Sequence, residues 1–231
     1  MPDKHSLFDC SDCLLKALCC QYLTPTDFEI VRRTSVQLRY RKGENMAKQG
    51  AKANHLIFLH RGIVKFNYEY ETGKDFIVTI VPGPKLLGGA NMFFKEMNLF
   101  SLVAVEDSDV CLIDSRAFKS MVKDQGRLLM RLFEEATEMF QASVFNFISL
   151  AHKQVNGRIA DILIYLSEHV YKSREFTLTL TRKELAEFAA CSHENVIITL
   201  SRMNREGVIS LDKKTLKIND LVKLHQISKH G

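Results

Sequence analysis

The chain has 231 residues and lacks any uninterrupted apolar run of about 18 residues, the minimum for a membrane-spanning helix. Its start, MPDKHSLFDC, holds no apolar stretch long enough to act as a secretory signal. A cytoplasmic protein with no membrane partner is therefore expected. Low-complexity tracts are missing too, and 46% hydrophobic with 26% charged residues supply enough apolar material for real cores, which excludes a disordered chain. No glycine-rich phosphate loop, nucleophile elbow or HExxH is present, and the acids are scattered, so the sequence does not read as an enzyme. Cysteine is scarce: six in all. In a reducing compartment they argue against a disulfide framework, and clustered thiols point instead to metal binding or redox chemistry. Four of them crowd into CSDCLLKALCC, residues 10–20.

The length suits one large domain or two modest ones. Charge is unevenly spread: from His152 to Gly231 there are 13 Lys and Arg against 9 Asp and Glu, which places four of the five net positive charges in the last third. Such a bias fits a carboxy-terminal domain that binds a polyanion. Between Val36 and Asp114 the chain reads as short strands separated by turn signals at 61–62, 71–74 and 82–84, the pattern of an antiparallel sandwich or barrel. In IVKFNYEY, Lys65, Asn67 and Glu69 alternate with Val64, Phe66, Tyr68 and Tyr70, which predicts one wet and one buried face.

From Arg116 the period lengthens. Leu129, Phe133, Ala136, Phe140, Ser143, Phe147 and Leu150 recur at alternating spacings of four and three, one stripe along a long helix that serves either its own core or a dimer seam. AsnGly at 156–157 follows its end. A helix over GRIADILIYLSEHV comes next, then a short extended pair around PheThrLeuThrLeu, and then two helical segments separated by AlaAlaCysSer. Thr181 and Glu184 form a capping box. Ser192 is the N-cap of HENVIITLSRMNRE, Gly207 its stop signal, and VISLD, LysLys and TLKI form a hairpin.

Helix, turn, helix and two-stranded wing, behind a sheet domain and a long helix, resemble the Crp/Fnr family of bacterial transcription regulators. The most specific stretches are residues 178–209 and the RGIVKFNYEYETGKDFIVTIVPGPKLLG segment. The resemblance implies an α+β protein with an amino-terminal antiparallel β-roll or jelly-roll sensor of cyclic-nucleotide-binding type, a long dimerisation helix and a carboxy-terminal winged helix-turn-helix. Its expected boundaries are a cysteine-rich segment 1–22, a sensor 23–125, a dimer helix 126–151 and a DNA-binding domain 152–231. Implied partners are double-stranded promoter DNA, a second copy of the chain and RNA polymerase. Ser192, His193, Glu194, Ile197 and Ile198 would face bases, with Glu194 accepting from cytosine's exocyclic amine, unless it serves only the helix dipole. Arg182, Lys183, Arg202, Arg205, Lys213 and Lys214 are the candidate phosphate contacts. One departure stands out: where relatives carry a small polar residue and a guanine-binding arginine, this chain has Ile197 and Ile198. They either touch thymine methyls or mark weakened DNA binding, which keeps open a second reading as a small-molecule or metal-sensing module with altered DNA affinity.

Cyclic-nucleotide binders of the family carry a glycine-glutamate pair followed by arginine and a small hydroxyl residue. Here Gly89 replaces the glutamate, and Asn98 and Leu99 stand about where arginine and serine would be. A buried phosphate without its arginine is costly, so cyclic AMP is disfavoured as the effector. Cys10, Cys13 and Cys19, with Cys111 in AVEDSDVCLID, resemble instead the ligand set of the oxygen-sensing Fnr branch. Four thiolates suit a four-iron, four-sulfur cluster, which oxygen or nitric oxide would disassemble, releasing the amino-terminal tether and shifting the dimer helix. Cys20 can replace Cys19 as ligand. Zinc on four thiolates is the lesser alternative, because its sites more often come as paired CxxC knuckles. Cys191 is expected to serve packing, and His55, His60 and the other histidines form no ligand pattern for haem.

Overall fold

The computed structural model describes residues 7, 10, 13, 15–16, 24–88, 97–123 and 125–231. They gather into two compact units, one formed by Met1–Phe66 with Val81–Gln141 and the other by Asn67–Ile80 with Ala142–Gly231. No helix among the described residues is long and apolar enough to cross a membrane.

The first unit opens with α1 (Pro25–Arg33), which Thr24 caps by accepting from the Asp27 amide while Asp27 reaches back to the cap. Eight strands follow along the chain, the tip of β4 and most of β5 falling in the segment 67–80: β1 (Ser35–Tyr40), β2 (Asn45–Ala47), β3 (His55–Arg61), β4 (Ile63–Glu71), β5 (Lys74–Pro82), β6 (Lys85–Leu87), β7 (Ser101–Ala104) and β8 (Ser108–Asp114). They form two sheets, ordered β1-β8-β3-β6 and β2-β7-β4-β5. The recurring strands expected between Val36 and Asp114 are thus present. α2 (Ser115–Val122) starts on Asp114, whose carboxylate accepts from the Ala117 amide at 2.8 Å.

The central strands β3 and β8 are buried on both faces. Ile57, Leu59 and Val110 join Val64, Leu87 and Leu102 in a core between the sheets, while Leu56, Phe58, Cys111 and Ile113 point the other way, towards Phe28, Val31, Phe118 and Val122 of α1 and α2. Such strands read as continuous apolar runs rather than alternations.

β4 corrects one expectation. Lys65 and Asn67, assigned to a wet face, are 7% and 6% exposed, whereas Tyr68 and Tyr70 are 38% and 59% exposed. The alternation fails because burial changes along the strand: its first five residues are largely covered and its tip is not. Within the second unit Ile77, Thr79 and Ile80 are buried, and the Tyr165 hydroxyl donates to the Ile80 carbonyl at 2.6 Å.

α3 (Gly126–His152) is the expected long helix. Beyond it come α4 (Val155–Tyr165), a π-helical turn (Leu166–Val170), β9 (Glu175–Thr177), α5 (Arg182–Ala189), α6 (His193–Arg205), β10 (Ile209–Asp212), β11 (Thr215–Ile218) and α7 (Leu221–His230). Instead of an extended pair around 176–180, β9 alone forms, and it adds to the wing to give a sheet ordered β10-β11-β9. Short polar contacts fix the start of this unit. The Asp161 carboxylate on α4 accepts from Ser149 and Ser228 hydroxyls, each at 2.5 Å, and from the Lys153 ammonium at 2.8 Å, joining the end of α3 to α4 and α7. Gly157 lies where α7 ends: a side-chain carbon there would sit 2.5 Å from the Gly231 carbonyl oxygen.

Candidate nucleic-acid interface and thiol patch

The helix-turn-helix is built from local signals. Thr181 accepts from the Glu184 amide at 3.1 Å and its own amide donates to the Glu184 carboxylate at 2.7 Å, closing the capping box that starts α5. The helix stops at Ala190, a non-glycine residue in the left-handed region (φ 46°), an arrangement that costs about 1–2 kcal/mol. Arg158 on α4 helps to hold it: its guanidinium donates to the carbonyls of Ala189 and Ala190 at 3.3 and 3.2 Å and to that of Lys153 at 2.8 Å. Cys191 sits half-buried in this turn, its thiol pushed up by burial. Ser192 then caps α6 by accepting from the Asn195 amide at 3.2 Å, and Gly207 ends the helix region at φ +71°.

At about 100° per residue, α6 divides into two faces. Val196, Thr199, Leu200 and Met203 are buried. Glu194, Ile197, Ile198, Ser201 and Arg205 fall within a stripe about 100° wide on the other side, and all five are exposed. The structure therefore brings the expected base-facing residues Glu194, Ile197 and Ile198 onto one surface, with Ser192 and His193 exposed at its amino-terminal end. Ser201 was missed by sequence reasoning, although its spacing from Ile197 and Ile198 puts it on the same stripe. The Glu194 carboxyl is held below its usual range by its own backbone amide and the Ser192 hydroxyl, with His193 helping. It is thus an ionised, acceptor-only group, engaged at the helix start until a better donor arrives.

Of the expected phosphate-contacting cations, Arg205 lies on this stripe. Arg182, at the start of α5, is partly buried, which lowers its pKa. Arg205, Lys213 and Lys214 are exposed, and Lys213 occupies the wing turn at φ 53°. Lys183 is paired with Glu187 at 3.6 Å. Arg202 lines a recess with Met203, Glu206 and Lys223 on the α7 side of the helix.

In the first unit, Cys111 on β8 lies directly opposite Gln37 on β1, whose side-chain amide donates to the Cys10 sulfur at 3.3 Å. Cys13 and Cys111 are 6% and 8% exposed in the same apolar cluster. Burial pushes the Cys111 thiol up to about 11; the Ser35 side chain opposes this, and Cys13 and Cys10 add to it. Three of the four expected ligands thus share one patch, while Cys19 and Cys20 fall outside the described residues. Among the described residues no three His, Cys, Asp or Glu are arranged to hold a metal ion. The donor set still suits a thiolate-bound group in kind. Between the sheets lies a cavity of about 260 Å³ lined by residues that include Lys48, Lys52, Phe66 and Asn98, with no arginine among its described lining. Leu99 is exposed, and Gly89 lies outside the described residues.

Residues 157–227 match the family described as Crp-like helix-turn-helix domain, and residues 37–125 match the cyclic nucleotide-binding domain. The two matches follow each other in the order of the two folds just described and together span well over half of the chain. The chain belongs to the Crp/Fnr family of transcription regulators. Among similar Crp/Fnr proteins, the anaerobic regulatory protein of Pasteurella multocida is 26% identical, covering 95% of this chain and 82% of its own. The cAMP-activated global regulator CRP of Salmonella typhimurium is 24% identical over 78% of this chain and 88% of its own. In fold, FixK2 from Bradyrhizobium japonicum superposes with a TM-score of 0.77 at 15% identity, covering 84% of this chain and 96% of that one. A CooA mutant from Carboxydothermus hydrogenoformans gives 0.72 at 18% identity, covering 94% and 95%. This Crp/Fnr chain is accordingly a DNA-binding regulator with a sensor of the cyclic-nucleotide-binding fold, and not an enzyme.

Proposed function

We propose that the chain works as a homodimer that binds promoter DNA sequence-selectively, acts on RNA polymerase there, and responds to a redox signal rather than to cyclic AMP. The observation that carries the DNA reading is the exposed stripe of α6, with Glu194 at its start and Arg205 at its end on a helix whose other face is fully buried. Dimerisation is supported by α3. Phe133, Phe140 and Phe147 recur every seven residues and are 68%, 68% and 70% exposed. So large an aromatic seam is costly in water and suits knobs-into-holes packing against a twin.

The redox reading is supported by the patch of Cys10, Cys13 and Cys111 and by the name of the Pasteurella relative, an anaerobic regulatory protein. With Cys19, these residues would hold a four-iron, four-sulfur cluster, which when bound supplies an oxygen-labile link between the amino-terminal thiols and β8. Gln37 orients the Cys10 sulfur, and Leu15, Phe28 and Phe118 keep water from Cys111. Against cyclic AMP stands the cavity between the sheets: Lys48 and Lys52 are its cations, and no arginine faces it among the described lining residues, where a bidentate partner for phosphate would be wanted.

Iron, sulfide and visible absorption of anaerobically purified protein test this. The wild type should be coloured and the Cys111→Ala variant should not; a colourless wild type overturns the cluster. The exposed Ile197 and Ile198 favour a second reading, a sensing module with weakened DNA binding. A mobility shift on promoter DNA over a salt series separates the two: sequence-selective binding supports the regulator, and purely salt-driven binding supports the module.

A further inference from the structure

The apolar pair on α6 lies outside the buried face of its helix. Ile197 and Ile198 are 44% and 62% exposed, while Val196, Leu200 and Met203 already fill the helix's buried face. β-branched residues also lower helix propensity, so the pair weakens the isolated helix and buries little. It lies between Glu194 and Arg205 on a single exposed stripe, and Lys213 and Lys214 in the wing of the same domain are exposed too. Apart from Glu194, no acid lies on that stripe. An apolar centre on a stripe that ends in a cation matches a duplex, with base edges within and phosphates outside.

What a branched alkyl side chain can gain in a major groove is narrow. Guanine presents two acceptors, adenine an acceptor and a donor, cytosine a donor; only thymine presents a methyl group. Packed against any of the first three, an isoleucine strips water from a polar edge and returns no hydrogen bond. Building on the regulator reading above, we propose that Ile197 and Ile198 read thymine methyls, so that each half-site places thymines beside the cytosine accepted by Glu194 and rejects guanine at those steps. The four residues from Glu194 to Ile198 rise about 6 Å along the helix, and base pairs stack about 3.4 Å apart. The thymines therefore fall one to two steps from the cytosine. Ser201, with a hydroxyl that pairs with any base edge, adds little discrimination.

The test begins with selection of random duplexes by the full-length protein, kept anaerobic throughout. Expected is an enriched half-site with T·A pairs within two steps of a C·G pair. Each thymine is then replaced by deoxyuridine, which deletes the methyl and nothing else. The wild type should lose about fourfold in affinity per methyl. Ile198→Ala should bind more weakly and lose its sensitivity to one of the replacements, while Ile197→Ser with Ile198→Arg should move the preference to guanine. Guanine enriched beside the cytosine by the wild type, or deoxyuridine without effect on an enriched site, overturns the proposal while leaving the regulator standing. No enriched sequence at all overturns both. Because the deoxyuridine arm uses unaltered protein, misfolding cannot imitate either result.

Discussion

The sensor strands and the helix-turn-helix are held together in different ways. Within the first unit, the decisive contacts join residues far apart in sequence: Gly62 lies against Ser108, and Asp109 accepts from Arg39 at 2.6 Å and Arg61 at 2.9 Å. Within the second, several of the fixing contacts span three or four residues, as at Thr181 with Glu184 and Ser192 with Asn195. A long-range contact is hard to replace because no neighbour in the chain can take its part. A cap is one of several groups serving the same helix. Substitutions in the sensor should therefore cost more than equivalent ones in the helix-turn-helix.

The largest effect is expected at Gly62. Its φ of +112° is one that side chains rarely adopt, and an added carbon would collide with the Ser108 side chain and stand 2.8 Å from its Cα. Gly62→Ala should lower stability by more than about 3 kcal/mol, read as a fall in the denaturant midpoint of the full chain. Pairing it with Ser108→Ala should not rescue it, because backbone as well as side chain is in the way. Full rescue would show that only the hydroxyl mattered and would weaken the contrast between the units.

Asp109 sharpens the same comparison. The carboxylate is 5% exposed, and its pKa is lowered chiefly by the hydrogen bond from Arg39, with Arg61 adding to it. Both arginine side chains are largely in solvent, 52% and 70% exposed, which screens the pair. Asp109→Asn should therefore cost about 1 kcal/mol near neutral pH. The sign is fixed by the direction of the shift. A depressed carboxyl stabilises the fold above its unfolded pKa, and that contribution drains away as acid protonates it in the folded state. The gap between wild type and Asp109→Asn should thus be widest at neutral pH and close below the ordinary aspartate range, as measured by denaturant midpoints across that span. A gap that stays constant would mean that the asparagine loses packing rather than charge.

The same division explains what the sequence made legible. Caps, the heptad of α3 and the wing hairpin are written within a few residues of one another, and Thr181, Ser192, Gly207 and the phenylalanine stripe of α3 could be read directly. The exposed stripe of α6 followed from helical spacing, and Ser201 could have been read from it as well. By contrast, the burial of Lys65 and Asn67 depends on what covers β4, and nothing within IVKFNYEY records it. Arg158 shows the limit most clearly. It looks like any solvated cation on a helix, yet it donates to Ala189 and Ala190 some thirty positions away, so only the folded chain reveals it as the residue that holds the turn before α6. The thiol patch was legible from spacing in Cys10 and Cys13, but the approach of Cys111 comes from the pairing of β1 with β8.

The smallest effect belongs to Thr181. Its hydroxyl accepts from the Glu184 amide at 3.1 Å and donates to the Glu184 carboxylate at 2.9 Å. Thr181→Ala removes both contacts but leaves the Glu184 carboxylate accepting from the residue 181 amide, so the loss should be near 1 kcal/mol. Thr181→Ser keeps the hydroxyl and should be close to neutral. If the helix-turn-helix rests on redundant local caps, the alanine variant shifts the denaturant midpoint slightly and leaves DNA affinity nearly unchanged, because α6 has its own cap in Ser192 and its turn is held by Arg158. A large loss of DNA affinity from Thr181→Ala alone would show that α5 and α6 are not independently anchored, and the contrast between the two units would fall.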